Sequence, residues 1–337
     1  MVGWLTINRA CNLRCLWCYA KGKKFSPRDN MSIRTLKKSI SIMQDLGIKK
    51  VCITGGEPTI YSNIFKVVEI IAKKEMEPLI VTNGIKLANK DFFLSLLDAG
   101  LKGFSLSLKA PNGTLYKKWT GLDAFADIVS AIKNLNEHDV SYAITYEVTK
   151  LSIGTLAKLI KTLTETKVKY FNLDLGRPIL TEGLCRGDNI PRPANLAKAI
   201  VDCYPLLKKA GFRFAISLSI PFCLMPRGFV ETMIEDETLL SGCQIHQGTG
   251  FIVDPNGYLL PCNHFCDQPL GKISHDFSNA SEYKVFRKSE QIMKFYDFTA
   301  NYPHNRCIDC KWWDKCGSGC FIRWLYNDAT DLIPTDS

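Results

Sequence analysis

Three cysteines stand close together near the start of the chain, in Cys11-Asn-Leu-Arg-Cys15-Leu-Trp-Cys18-Tyr, a C-x3-C-x2-C spacing. Three thiolates suit three irons of a cubane cluster and leave the fourth iron open to a small chelating ligand. A structural zinc site wants four protein ligands, and no fourth lies nearby in the sequence. A second group starts at Cys243, followed by thirteen residues, Gly257, four residues and Cys262, then Cys307-x2-Cys310-x5-Cys316-x3-Cys320. Tetrahedral zinc uses similar C-x2-C pairs, so a zinc module is the competing reading of this second group. Of the 14 cysteines, three fall in residues 11–18 and seven in residues 243–320, which predicts at least two metal-binding regions. In a reducing compartment, clustered cysteines are metal ligands or catalytic groups rather than disulfides.

The elements that must carry these residues follow from periodicity. Short β-branched runs alternate with helical patterns: strands at 2–8, 50–54, 79–82, 104–108, 142–148 and 170–175, with helices at 33–46, 64–74, 91–99, 125–136 and 153–164. Ser32 is an expected N-cap and Gly100 an expected C-cap. Repeated βα units predict a parallel sheet with helices outside, an incomplete version of the eight-unit barrel. Strand one runs into the cysteine loop, strand two into Gly55-Gly56-Glu57-Pro58, and strand three into Asn83-Gly84. In parallel barrels, loops after the strands build the active site, so three separate signals converge on one rim. After a helix at 193–209 and a strand at 212–217 the pattern turns irregular and cysteine-rich, organised by metal more than by a large core. The expected division is 1–218 and 219–337.

The first motif, with an aromatic residue before its third cysteine, resembles the signature of radical S-adenosylmethionine (SAM) enzymes, and Gly55-Gly56-Glu57-Pro58 resembles that family's GGE motif. The resemblance implies a [4Fe–4S] cluster on Cys11, Cys15 and Cys18 that binds SAM and cleaves it to a 5′-deoxyadenosyl radical. It places Gly55, Gly56 and Glu57 at the methionine ammonium, Trp17 and Tyr19 near the adenine, Asn83 at polar parts of SAM, and Ser105 and Ser107 toward the ribose. Strand alternation puts 105 and 107 on one face. Lys109 departs from the acidic residue often found at its position in the family. Glu147 is a further pocket residue or a solvated strand-end charge.

The second group resembles the SPASM extension of many radical SAM maturases. That implies one or two auxiliary iron–sulfur clusters, Cys243, Cys262 and Cys320 serving the first and Cys307, Cys310 and Cys316 the second. The fourth ligands stay open: Cys266 is the nearest spare thiol, Cys223 another, with Asp309, Asp314 or substrate as alternatives. Cys223 has three readings, a cluster ligand, a catalytic hydrogen-atom donor, or a buried apolar residue. Cys52 reads as core. His246 and His264 flank the auxiliary cysteines.

The expected fold is therefore α/β, a partial (βα)6 TIM-type barrel with a C-terminal cysteine-rich SPASM-like iron–sulfur domain. The expected function is an oxidoreductase that modifies a peptide or protein by radical chemistry, fed by an external one-electron reductant such as flavodoxin or ferredoxin. A small-molecule radical SAM dehydrogenase or epimerase is the alternative, and an iron–sulfur electron carrier the non-enzymatic one. The early position of the first motif leads to the expectation that no separate peptide-recognition domain precedes the barrel. No apolar stretch is long enough for a membrane span and no signal peptide is apparent, so a cytoplasmic protein without a membrane partner is expected. The net charge of +10 suits an acidic peptide or anionic metabolite as readily as a plain lysine-rich surface. With no zinc-finger spacing and no basic-aromatic motif, a nucleic-acid partner is not expected.

Overall fold

The computed structural model describes residues 1–300 and 303–333, without the side chains of His246 and Ala300. Strands β1 (Val2–Thr6), β2 (Lys50–Thr54), β3 (Glu77–Thr82), β4 (Gly103–Ser107), β5 (Ser141–Val148) and β6 (Tyr170–Leu175) run parallel in sequence order. Helices α1 (Ile33–Asp45), α2 (Ile64–Ala72), α3 (Lys90–Asp98), α4 (Gly113–Thr120), α5 (Phe125–Glu137) and α6 (Leu156–Glu165) connect them. Each presents an apolar stripe to the sheet, as with Leu36, Ile40 and Met43 of α1 and Leu159, Ile160 and Leu163 of α6. Ser32 caps α1 by accepting the Thr35 N–H at 3.0 Å. Gly100 takes a positive φ of 104°.

The chain then forms a small hairpin, β7 (Ile179–Thr181) and β8 (Leu184–Arg186), before the long helix α7 (Pro193–Lys209) and β9 (Arg213–Ser217). The hairpin and α4 were not expected. Strands β10 (Leu239–Leu240), β11 (Gly250–Val253), β12 (Tyr258–Leu260) and β13 (Gly271–Lys272) complete an open eleven-stranded sheet in the order β10-β9-β6-β5-β4-β3-β2-β1-β11-β12-β13. All neighbours are parallel except β11–β12 and β12–β13. Residues beyond 218 thus supply strands at both ends of the sheet begun by the barrel. The β11–β12 turn falls at Asp254-Pro255-Asn256-Gly257, where Gly257 takes a φ of 82°. No helix among the described residues is long and apolar enough to cross a membrane.

Parallel strands buried on both faces read as continuous apolar runs. Here β4, β5 and β6 alternate instead. Leu106, Ile144, Tyr146, Leu173 and Leu175 are buried, whereas Ser105, Ser107, Thr145, Glu147, Asn172 and Asp174 are half-buried on the opposite face. Register places Ser107 beside Thr145 and Glu147 beside Asp174. One side of the sheet is core, and the other is a polar, concave lining.

Candidate functional site

The cysteine loop after β1 is fixed from three sides. Beneath it, Gly56 N–H donates to Asn8 O at 2.9 Å and Glu57 N–H to Ala10 O at 2.8 Å. A Cβ on Gly55 would stand 2.0 Å from Asn8 Oδ1, and one on Gly56 would stand 2.3 Å from Ala10 O. Both glycines are therefore required for close approach of two backbones. From β3, Asn83 Nδ2 donates to Asn12 Oδ1 at 2.7 Å. From α4, Thr120 O and Trp119 O accept the N–H groups of Arg14 and Leu16.

Glu57 is 1% exposed. Its Oε1 accepts from Thr59 N, Thr59 Oγ1 and Thr82 Oγ1 at 2.6–3.0 Å, and its Oε2 accepts from Asn83 N at 2.7 Å. The structure thus assigns this carboxylate first to tying the β2 turn to the end of β3, with one Oε2 lone pair left over. Trp17 is buried edge-on to Trp119, centroids 6.0 Å apart, with its N–H within electrostatic reach of Glu147. Tyr19 packs its ring 5.3 Å from that of His264, and its hydroxyl is within electrostatic reach of both Cys18 and Cys262. Ser105 Oγ lies 3.2 Å from Thr145 Oγ1 on the concave face.

Cys11, Cys15 and Cys18 are half-buried and within electrostatic reach of one another. Burial pushes the Cys11 thiol up to about 11, with Glu57, Cys15 and Cys18 adding to the shift against the Leu13 N–H. Burial also raises Cys15, against the charge of Lys109. Lys109 thus stands near both Cys15 and Glu147. Glu147 is pushed up to about 7 by burial and by Asp174, opposed by Lys109, Arg177 and the Trp17 N–H. Arg177 Nη1 donates to both oxygens of Asp174 at 2.9 and 3.1 Å. Tyr116 on α4 is fully buried, and its hydroxyl has no hydrogen-bond partner among the described residues, although Cys11, Cys15 and Glu57 are all within electrostatic reach. The donor set fits an iron–sulfur cluster with one uncapped iron: three thiols, an adjacent buried acid and an unused phenolic donor.

In the second region Cys243, Cys262 and Cys320 pack on one apolar cluster of Leu180, Ile245, Phe265 and Ile322. Cys185 of β8 packs on the same cluster. Cys223, Cys307, Cys310 and Cys316 form another neighbourhood by electrostatic reach, and Phe222 N–H donates to Cys316 Sγ at 3.4 Å. Cys223 thereby stands among the thiols of the second expected set, and it is exposed, which corrects its reading as a buried apolar residue. Cys266 is buried in a separate cluster with Ile252 and Leu260 beside Tyr19 and Phe25, apart from the cluster on which Cys243, Cys262 and Cys320 pack. Cys52 is core, as expected. Burial pushes Cys262 up to about 12, with Cys320 and Cys243 adding to it and the His264 N–H and Arg177 opposing. His264 is pushed down to about 3 by burial and by Arg177 and Lys23. Among the described residues no three His, Cys, Asp or Glu side chains are grouped as ligands of a single ion would be; each thiolate of a cubane binds its own iron.

Sequence reasoning missed Tyr116, Arg177 and Cys185, and noted Lys109 only as a departure from the family's pattern. Tyr116 lies on a helix the periodicity did not reveal, and the other three carry no motif, being marked only by their places at strand ends or on the hairpin.

Residues 5–163 match the Radical SAM superfamily model. A stretch of 129 residues is 30% identical to a probable GTP 3′,8-cyclase of Thermococcus kodakarensis, covering 38% of this chain and 41% of that protein. The chain spans about half the length or less of the curated relatives it matches. In fold it is similar to Streptococcus suis SuiB bound to precursor peptide SuiA, with a TM-score of 0.72 at 20% identity, covering 99% of this chain and 75% of that one. It is also similar to native anSMEcpe with bound AdoMet, with a TM-score of 0.73 at 20% identity, covering 95% and 89%. These matches give one conclusion: residues 5–163 carry the radical SAM superfamily match, and the fold over nearly the whole chain, a partial barrel extended by a SPASM-like cysteine-rich region, is that of the two solved structures.

Proposed function

We propose that this chain is a cytoplasmic radical SAM oxidoreductase that modifies a peptide or protein. Cys11, Cys15 and Cys18 would hold a [4Fe–4S] cluster, with SAM on the uncapped iron. When bound and reduced by one electron from an external donor of the flavodoxin or ferredoxin kind, that pair supplies methionine and a 5′-deoxyadenosyl radical able to take a hydrogen atom from substrate. The chain's own residues do the rest. The β2 turn and Asn83 fix the loop, the remaining lone pair of Glu57 would accept from the ammonium of SAM, and Ser105, Ser107 and Thr145 offer hydroxyls along the lining. Lys109 and Glu147 set the charge beside Cys15, and Glu147 holds or releases a proton near neutral pH. Cys243, Cys262 and Cys320, and Cys223, Cys307, Cys310 and Cys316, would hold two auxiliary clusters.

The peptide class is supported by one observation above others. The likeness to the peptide-bound neighbour runs through the C-terminal cysteine region, covering 99% of the chain, whereas the likeness to the GTP 3′,8-cyclase covers 38% of it. A cleft of about 520 Å³ beside the rim, lined by Lys150, Arg192, Asn195, Tyr326, Asp328 and Asp331 among others, offers both charge signs to a polar chain. The second reading, a small-molecule substrate such as a nucleoside triphosphate, rests on the 30% identity to the cyclase. The two separate on turnover: the reconstituted chain is incubated anaerobically with SAM, reductant and either candidate peptides or GTP. Peptide-dependent 5′-deoxyadenosine with a mass change in the peptide supports the first reading; stimulation by GTP alone, with a new nucleotide product, overturns it.

A further inference from the structure

The first auxiliary set, as the sequence motif defines it, has three thiols. We propose that Cys185 of the β7–β8 hairpin is its fourth thiolate, closing a four-cysteine site with Cys243, Cys262 and Cys320. The proposal deepens the auxiliary-cluster reading and rests on it.

The four cysteines pack on the same apolar cluster. The hairpin carrying Cys185 is wedged between the two segments that carry its neighbours: β7 packs on the turn Asn263–Phe265 that follows Cys262, and β8 on the helix Phe321–Tyr326 that follows Cys320. This seat is built rather than incidental. Lys23, its side chain wholly buried, donates to Leu180 O in β7 and to Asp267 Oδ1 at 2.7 Å. The other oxygen of Asp267 accepts the Glu182 N–H at the hairpin turn at 2.9 Å. A three-residue strand pair this short does not hold itself together; these bonds hold it against the cysteine region.

An independent observation comes from the cations. Arg323 is fully buried, three residues past Cys320. Its Nε donates to Ser219 Oγ at 3.1 Å and one Nη to Gly176 O, while Nη1 has no partner among the described residues. Arg323 and Arg177 both lie within electrostatic reach of Cys320, and Arg177 also of Cys262. A buried guanidinium with an unused donor beside another guanidinium is costly unless an anion faces it. Four thiolates around one cluster supply that anion, and unused N–H donors commonly satisfy cluster sulfurs. Loading releases the thiol protons to solvent.

The test uses the full chain reconstituted anaerobically, with iron and sulfide per chain and electron paramagnetic resonance spectra as readouts. Cys185→Ala is compared with Cys262→Ala and with Leu184→Ala, an exposed neighbour on the same hairpin. The expected result is that Cys185→Ala, like Cys262→Ala, either loses about four irons or shows a three-iron signal when oxidised, while Leu184→Ala matches the wild type in iron, spectra and 5′-deoxyadenosine formed. Should Cys185→Ala not fold, Cys185→Ser keeps the volume and carries the same expectation. Wild-type iron and spectra in the Cys185 variant alongside a defective Cys262→Ala overturn the assignment of Cys185. Wild-type values in both variants instead remove the auxiliary cluster itself.

Discussion

Arg9 Nη2 donates to Asp254 Oδ2 at 3.1 Å, with both side chains only 6% exposed. Arg9 leads into the cysteine loop after β1, and Asp254 opens the turn after β11, so this pair locks the first cysteine motif to the strand that begins the second region. The other Asp254 oxygen accepts the N–H groups of Asn256 and Tyr258 at 2.9 and 2.8 Å. Arg9 also covers the Phe25 ring at 3.8 Å. Removing one partner leaves a buried charge uncompensated, so Asp254→Asn is expected to cost about 3–5 kcal/mol, read as a lower midpoint in denaturant unfolding. An unchanged midpoint would show that the pair does not lock the two regions.

Gly56→Ala tests the loop itself. The new Cβ meets Ala10 O and Arg9 O at 2.3 and 2.4 Å, and backbone atoms of a pinned loop give way poorly. The expected outcome is a loop displaced from β2, with reconstituted iron reduced by about one cluster and auxiliary spectra unchanged. Full iron and full SAM cleavage would mean the close approach is dispensable.

Tyr116→Phe gives a result of opposite sign in two states. In the unloaded protein it removes a buried hydroxyl that has no partner, a change expected to be neutral or stabilising by about 1 kcal/mol. In the loaded protein it removes a donor near Cys11 and Cys15, so the first cluster's potential should fall and its resonance signal shift. Identical spectra in the two proteins would leave the phenol a packing residue only.

Two pH dependences follow from the raised values. Glu147 titrates at about 7 in the folded chain against an ordinary 4.5, so its stability contribution is complete below 4.5 and lost as pH rises through 7. Glu147→Gln should therefore stabilise the unloaded protein at pH 8, by on the order of 1–3 kcal/mol, and little at pH 4. The thiols Cys11 and Cys262, at about 11 and 12 against an ordinary 9.0, act at the other end. Their contribution is complete below pH 9 and lost as pH rises through 11–12 in the metal-free protein. Iron loading displaces those protons and should weaken as pH falls. Thermal unfolding of loaded and unloaded protein across pH measures both.

The barrel's six strands were legible because short runs, β-branched in β1, β2, β3 and β5 and built on Phe and Leu in β4 and β6, alternate with amphipathic helices. The three loop cysteines, the glycine pair and the C-terminal spacings were equally plain, since ligand chemistry fixes their separations. What stayed hidden depends on tertiary approach. Cys185 is one cysteine on a short hairpin whose position is set by Lys23 and Asp267, residues far apart in sequence. The Glu57 carboxylate read as a ligand group, but Thr59, Thr82 and Asn83 converge on it only once β2 and β3 pair. The resemblance implied Tyr19 near the adenine, and nothing in its sequence neighbourhood announced the packing of its ring against His264. Strand β11 is four residues long, and nothing local in it announces pairing with β1.

The central claim is that Cys11, Cys15 and Cys18 hold the cluster at which SAM is cleaved. Its most direct measurement is 5′-deoxyadenosine formed by the anaerobically reconstituted chain with SAM and dithionite. The account predicts product from the wild type and from Cys203→Ala, a buried thiol on α7, and none above background from Cys15→Ala. Cleavage retained by Cys15→Ala, or no cleavage by an iron-replete wild type, would contradict it.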